Sequence, residues 1–251
     1  MRKRILNCFM LYTIAHFLRD QMPWLWDLVD IVNSFLFRIR YESKLYLVEN
    51  EICMKGYLKS QLAEDYDILP IREVQTNDLV EFFACQPTEA YRFFKPHGFD
   101  LKSIKKLQNN YAFLGYVLKD VTNNKIVGYC FNRSFFHGKG FRGRMVDVNY
   151  RGKGLGTTMN RLLNKVGFGI GLRLFETVSK DNVASYRSAI SASSFRVIEE
   201  LPHNELYLEI INDMKQNDNI NKNLIGGGGK SHVVMLQPLF VANNTQGRRA
   251  A

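Results

Sequence analysis

Cysteine is scarce in this 251-residue chain, with only Cys8, Cys53, Cys85 and Cys130, far apart and without a CxxC pair. That spacing excludes a disulfide framework and a zinc site of paired cysteines, and it suits a reducing, cytoplasmic compartment. Cys85 and Cys130, each alone on an apolar segment, read as small core residues rather than nucleophiles. Also missing is the run of about 20 apolar residues that a membrane-spanning helix needs. The nearest approach, Ile5 to Leu18 behind Met1-Arg2-Lys3-Arg4, is interrupted by Asn7 and His16 and stops at Arg19-Asp20. No small-x-small cleavage site follows, so neither a secretory signal nor an anchor is expected. The expectation there is an amphipathic helix packed on the protein, with contact to a membrane surface as the less favoured alternative. Nor is there a concentrated basic tract. Lys and Arg total 34 against 24 Asp and Glu, a net charge of +10, and the excess between Asp67 and Ile210 is spread among acids. It favours anionic partners, such as the phosphates of a nucleotide cofactor, without marking a nucleic-acid-binding face.

What is present is an ordinary globular composition, 46% apolar and 23% charged. Residues 1 to 66 read as a mainly helical extension. In the stretch Trp24 to Phe37, Leu25, Leu28, Val29, Val32 and Phe35 recur at the spacing of one buried helical face, and Lys44 to Val48 reads as a strand. From Asp67 strands and helices alternate. Ile68 to Val74 is expected as a strand, then a helix capped by Thr76, a second helix at Leu101 to Leu107, and strands at Tyr111 to Asp120 and Ile126 to Asn132 joined through Asn123-Asn124. A strand at Met145 to Asn149 runs into a glycine-rich stretch and a helix closed by Gly167. Then come a strand at Arg173 to Ser179, a helix at Asn182 to Ile190, and strands at Phe195 to Leu201 and Leu206 to Ile210. The order over residues 67–210 is β-α-α-β-β-β-α-β-α-β-β, an α/β domain. Residues 211–251 read as a flexible tail, with one short apolar segment at Val233 to Leu239.

The sharpest signal is Arg151-Gly152-Lys153-Gly154-Leu155-Gly156 where a strand meets a helix. Glycines let backbone approach a ligand closely, and the N–H groups at a helix start have no intrahelical partner, so this geometry suits a phosphate. The spacing is not GxGxxG. The tail's Gly229-Lys230-Ser231 lacks the glycine five positions earlier that a Walker A loop needs, where Leu224 stands instead.

Arg151-x-x-Gly154-x-Gly156, the preceding Val146-Asp147-Val148-Asn149-Tyr150 and the later Asn182-x-x-Ser185 resemble the acyl-CoA motif of the GNAT superfamily of N-acetyltransferases, over about Asp67 to Ile210. The resemblance implies a mixed central sheet flanked by helices. It implies acetyl-CoA as the acyl donor, no metal, and a small-molecule or peptide amine as acceptor. It implies that the backbone from Arg151 through Gly152, Lys153, Gly154, Leu155 and Gly156 to Thr157 holds the CoA pyrophosphate. Val146 and Val148 would follow the pantetheine arm on a strand that parts from its neighbour, and Asn182 would bond along the same arm. The chain departs from the family where a tyrosine often protonates the leaving thiolate, since Ala189 stands there. Tyr186 and Ser185 are the candidate acids. No glutamate precedes Val146, where the chain reads Arg142-Gly143-Arg144-Met145, so His97 and Asp147 are the candidate bases. The reading that follows is transfer of an acetyl group to a primary amine by direct attack in a ternary complex. A catalytically degenerate CoA-binding sensor or interaction module is the alternative.

Overall fold

The computed structural model of the chain describes residues 23–54 and 66–212. The expectations for Ile5 to Leu18 and for Val233 to Leu239 lie outside the described residues. Helix α1 is Pro23–Met54. No glycine or proline interrupts it after Pro23, which is why it runs on through Lys44 to Val48, where the sequence suggested a strand. Its buried side also differs from the expected one. Leu28, Val29, Val32 and Phe35 are exposed, whereas Asn33, Phe37, Tyr41, Leu45 and Ile52 are buried. The first four fall at a four-residue step and Ile52 follows seven residues on, and Phe37, Tyr41, Leu45 and Ile52 share one core cluster with Leu114, Tyr116, Leu162 and Leu163. Polar ties fix the register: Asn33 donates to the Ser134 carbonyl at 3.0 Å and accepts from the Phe136 N–H at 2.9 Å.

Strand β1 is Tyr66–Pro70, and its proline ends the ladder, so the expected continuation to Val74 becomes a short 3-10 turn. Helix α2 is Thr76–Ala84 with Gln75, not Thr76, in the cap position, and the Thr76 hydroxyl instead donates to the Gln108 side chain. Helix α3, Leu101–Gln108, starts at Asp100, whose carboxylate accepts from the Ser103 N–H. Strands β2, Phe113–Asp120, and β3, Lys125–Ser134, form the expected hairpin. Strand β4 is Lys139–Val146; it begins six residues before Met145, and Val148 lies past its end in a 3-10 turn. Helix α4, Leu155–Gly169, continues beyond Gly167, which is buried inside it. A Cβ at Gly167 would lie 2.6 Å from a Leu174 methyl, so this glycine permits the close approach of helix and sheet, and Gly171 at φ 91° makes the turn beyond the helix. Strand β5 is Arg173–Ser179, helix α5 Val183–Ala192, β6 Phe195–Leu201 and β7 Glu205–Ile210.

The seven strands form one mixed sheet in the order β1-β2-β3-β4-β5-β7-β6, antiparallel throughout except for the β4–β5 pair. One core lies against α1 and α4, and a second, rich in phenylalanine, lies against α2 and α3. Among the described residues no helix is long and apolar enough to cross a membrane.

Candidate active site

Strands β4 and β5 pair only at Lys139–Arg173, Gly140–Leu174 and Phe141–Phe175. Beyond that point they part, because β4 stays with β3 as far as Val146 and β5 stays with β7 as far as Ser179. The gap opens into a cavity of about 1090 Å³, lined by Arg142, Arg144 and Val146 of β4 and by Glu176 and Thr177 of β5. The start of α4 borders the same cavity. Gly154 caps this helix with a left-handed φ of 78°, and Gly152 has φ 80°; a Cβ on either would meet nothing within 4 Å among the described residues. Backbone direction therefore requires these glycines, and the space beside them is open. The Thr157 and Thr158 N–H groups turn back to the Gly154 carbonyl at 3.0 and 3.1 Å, which leaves those of Leu155 and Gly156 without an intrahelical partner. Free donors, the positive helix end and Arg151 on the cavity wall fit a pyrophosphate.

The chain has a GNAT-like fold. Its parted parallel strands and glycine-led helix stand where the motif resemblance placed them, in the expected order of elements. No family model matches the sequence, and no curated protein matches it. Among solved structures, the GNAT domain of PAT from S. lividans is similar at 15% identity and a TM-score of 0.49, over 57% of this chain and 88% of that one. The ribosomal-protein-S5-alanine acetyltransferase from Vibrio fischeri gives 14% and 0.47, over 58% and 92%. YncA of Salmonella typhimurium, a putative acetyltransferase solved with acetyl-CoA, gives 16% and 0.46, over 59% and 94%.

In this GNAT-like frame a buried ion network bridges the gap. Arg142 Nε donates to Glu176 at 2.6 Å and its Nη1 to Asn164 at 2.5 Å. Arg144 Nη1 donates to the other Glu176 oxygen at 2.6 Å, and its Nη2 to the Ser185 carbonyl and Oγ at 2.8 and 3.0 Å. Burial pushes the Glu176 carboxyl up, but Arg144 and Arg142 outweigh it and hold the group below the usual glutamate range. Two guanidiniums thus share one carboxylate, and Arg142 Nη2 has no hydrogen-bond partner among the described residues. All three side chains are at most 6% exposed. The sequence reading missed these residues. The signal was the charge at alternate positions, Arg142 and Arg144, inside a strand, with Glu176 placed among the apolar residues of β5.

The anticipated site residues divide. Val146, Arg151, Gly152, Gly154, Leu155, Gly156, Thr157, Asn182 and Ser185 line the cavity, whereas Val148, Lys153, Asp147, His97 and Tyr186 do not. The Val148 N–H is taken by the Gln86 side chain at 3.3 Å, because Val148 has left the strand. The Lys153 ammonium rests over the Tyr150 ring at 4.6 Å. Asn182 caps α5, its side-chain oxygen accepting from the Ser185 N–H at 3.1 Å. For Asp147, burial pushes the carboxyl up, yet the Asn149 N–H and Lys125 hold it below its ordinary value. Lys125 pairs with it at 3.1 Å, away from the cavity. His97 is set among Phe83, Phe99, Phe113 and Phe131, and burial lowers its pKa, which favours the neutral ring. Its Nδ1 donates to the Gly98 carbonyl at 2.8 Å, so Nε2 accepts from the Tyr129 hydroxyl at 2.9 Å. Tyr186 packs toward Phe195 beside Val178, Leu206 and Leu208. Among the described residues no three His, Cys, Asp or Glu side chains gather as a metal site.

Proposed function

We propose that the chain is a GNAT-superfamily acyltransferase that moves an acetyl group from acetyl-CoA to a primary amine, by direct attack in a ternary complex. The observation that carries this reading is the opening of parted β4 and the glycine-led start of α4 onto one cavity. The pyrophosphate would sit on the backbone of residues 151–157, with the pantetheine arm along β4 beside Val146 and the thioester deeper in the gap. The amine nitrogen attacks the thioester carbon, the C–S bond breaks, and one proton must pass from nitrogen to sulfur. Of the four acid or base candidates only Ser185 lines the cavity. Its Oγ accepts from Arg144, which leaves the hydroxyl hydrogen free to point into the cavity. Ser185 would relay the proton, giving one to sulfur as it takes one from nitrogen, so it carries no net charge at the end.

The second reading, a CoA-binding sensor without turnover, draws on one observation: Ala189 is buried, and Tyr186, His97 and Asp147 all lie off the cavity. Titration calorimetry and release of free thiol test the two together. We expect the full chain to bind acetyl-CoA, Gly154→Glu to abolish binding by putting a carboxylate in the phosphate cradle, and Lys153→Gln to weaken it only modestly. Binding retained by a folded Gly154→Glu protein would overturn the donor site. Binding without thiol release across a panel of amines would select the sensor.

A further inference from the structure

We propose that the acceptor is a primary amine that also bears an anionic group, a carboxylate or a phosphate, on an apolar body; this rests on the acyl-transfer reading above. Apart from Arg151 and Arg187, the cavity is lined by five basic residues, Arg92, Lys95, Arg133, Arg142 and Arg144, against three acidic ones, Glu89, Glu176 and Glu205. Glu176 is already taken by two arginines, and Arg142 Nη2 remains a buried donor with no partner among the described residues. Arg92 and Lys95 are exposed and form no salt bridge among the described residues, while Arg133 shares its charge with Asp30 at 3.5 Å. The rest of this end is aromatic, with Phe93, Phe94, Phe131 and Phe141 on the wall.

A polyamine or polycationic sugar would bring several positive charges to a lining where two carboxylates outside the Glu176 pair, Glu89 and Glu205, are outnumbered by Arg92, Lys95, Arg133, Arg151 and Arg187, and like charges in a cleft repel. An amine with its own anion brings a partner for the guanidiniums, whose forked donors match carboxylate and phosphate geometry. The phenylalanine rings then cover its apolar part.

The test uses the full chain with acetyl-CoA and records thiol release. Phenylalanine is compared with its amide, glucosamine 6-phosphate with glucosamine, and spermidine serves as the polycation. The amine of the amide is less basic and more fully deprotonated at neutral pH, which works against the expected preference. We expect the anionic member of at least one pair to win by about tenfold in kcat/KM at low salt. The winning pair tells carboxylate from phosphate. In the double variant Arg92→Gln, Lys95→Gln that preference should shrink by roughly fivefold, mainly through KM. Equal or better use of the neutral partners or spermidine overturns the proposal, as does a preference unchanged in the double variant. Transfer to none of the panel by a protein that binds acetyl-CoA also overturns it and leaves the donor site standing. Failure to bind acetyl-CoA at all removes the acyl-transfer reading with it.

Discussion

Glu176 joins β4 and β5 beyond the point where their ladder ends, and its loss has a calculable sign. Glu176→Gln would leave two buried guanidiniums without a carboxylate, and breaking a buried pair in this way costs about 3–5 kcal/mol. Urea denaturation of parent and variant at pH 7 measures it. Because the folded-state carboxyl is held below the ordinary glutamate value of 4.5, its contribution is complete above that value and is lost as pH falls through the lower, folded one. The acid limb of the stability curve should therefore be shallower in the variant. A second residue-scale prediction separates Ser185 from Tyr186. Ser185→Ala should reduce turnover by about tenfold or more with little change in acetyl-CoA affinity, whereas Tyr186→Phe, on a side chain turned toward Phe195, should leave turnover within about twofold. A comparable loss in Tyr186→Phe would show that the tyrosine reaches the reacting atoms.

Among the elements, α1 tells most about what a sequence discloses. Its existence was legible, because apolar residues recur at helical spacing from Leu25 onward. Its buried face was not, since the helix carries apolar side chains almost all round: Leu28, Val32, Phe35 and Ile39 on one side, Phe37, Tyr41 and Leu45 on the other. Only packing against the sheet decides between them. Likewise Leu45-Tyr46-Leu47-Val48 has the composition of a strand, and it takes its helical state from the uninterrupted turns on both sides. Two substitutions two residues apart test the assignment: Phe37→Ala should cost about 3–5 kcal/mol and Phe35→Ala no more than about 0.5. A chain beginning near Glu64 should lose solubility or stability, because it would uncover the core that Phe37, Tyr41, Leu45 and Ile52 close. By contrast, β5 and β6 match their expected bounds to the residue, since each lies between strong turn signals. The glycine-rich loop was legible for the same reason. Which of the acid and base candidates meet the cavity was not, because a face, not a spacing, decides this for His97 and Tyr186.

At the scale of the whole molecule, the +10 charge is dispersed, but the cavity concentrates some of it. Acetyl-CoA affinity should therefore fall several-fold between roughly 50 and 500 mM salt, as attraction between partly exposed charges is screened. An affinity indifferent to salt would mean that backbone donors alone hold the phosphates. The parting of β4 from β5 has one more consequence. A sheet that divides in its middle has two raw edges inside the molecule, and an unpaired edge is a template for another strand. Here the opening ends where Phe141 and Phe175 pair, which sets how far an extended guest can enter. The pantetheine arm, extended and carrying two amides of its own, has the dimensions of that missing strand. Acetyl-CoA should then act as a temporary ladder: amide hydrogen exchange over residues 142–146 should slow when it binds, while the β2–β3 hairpin, already paired along its length, should not change.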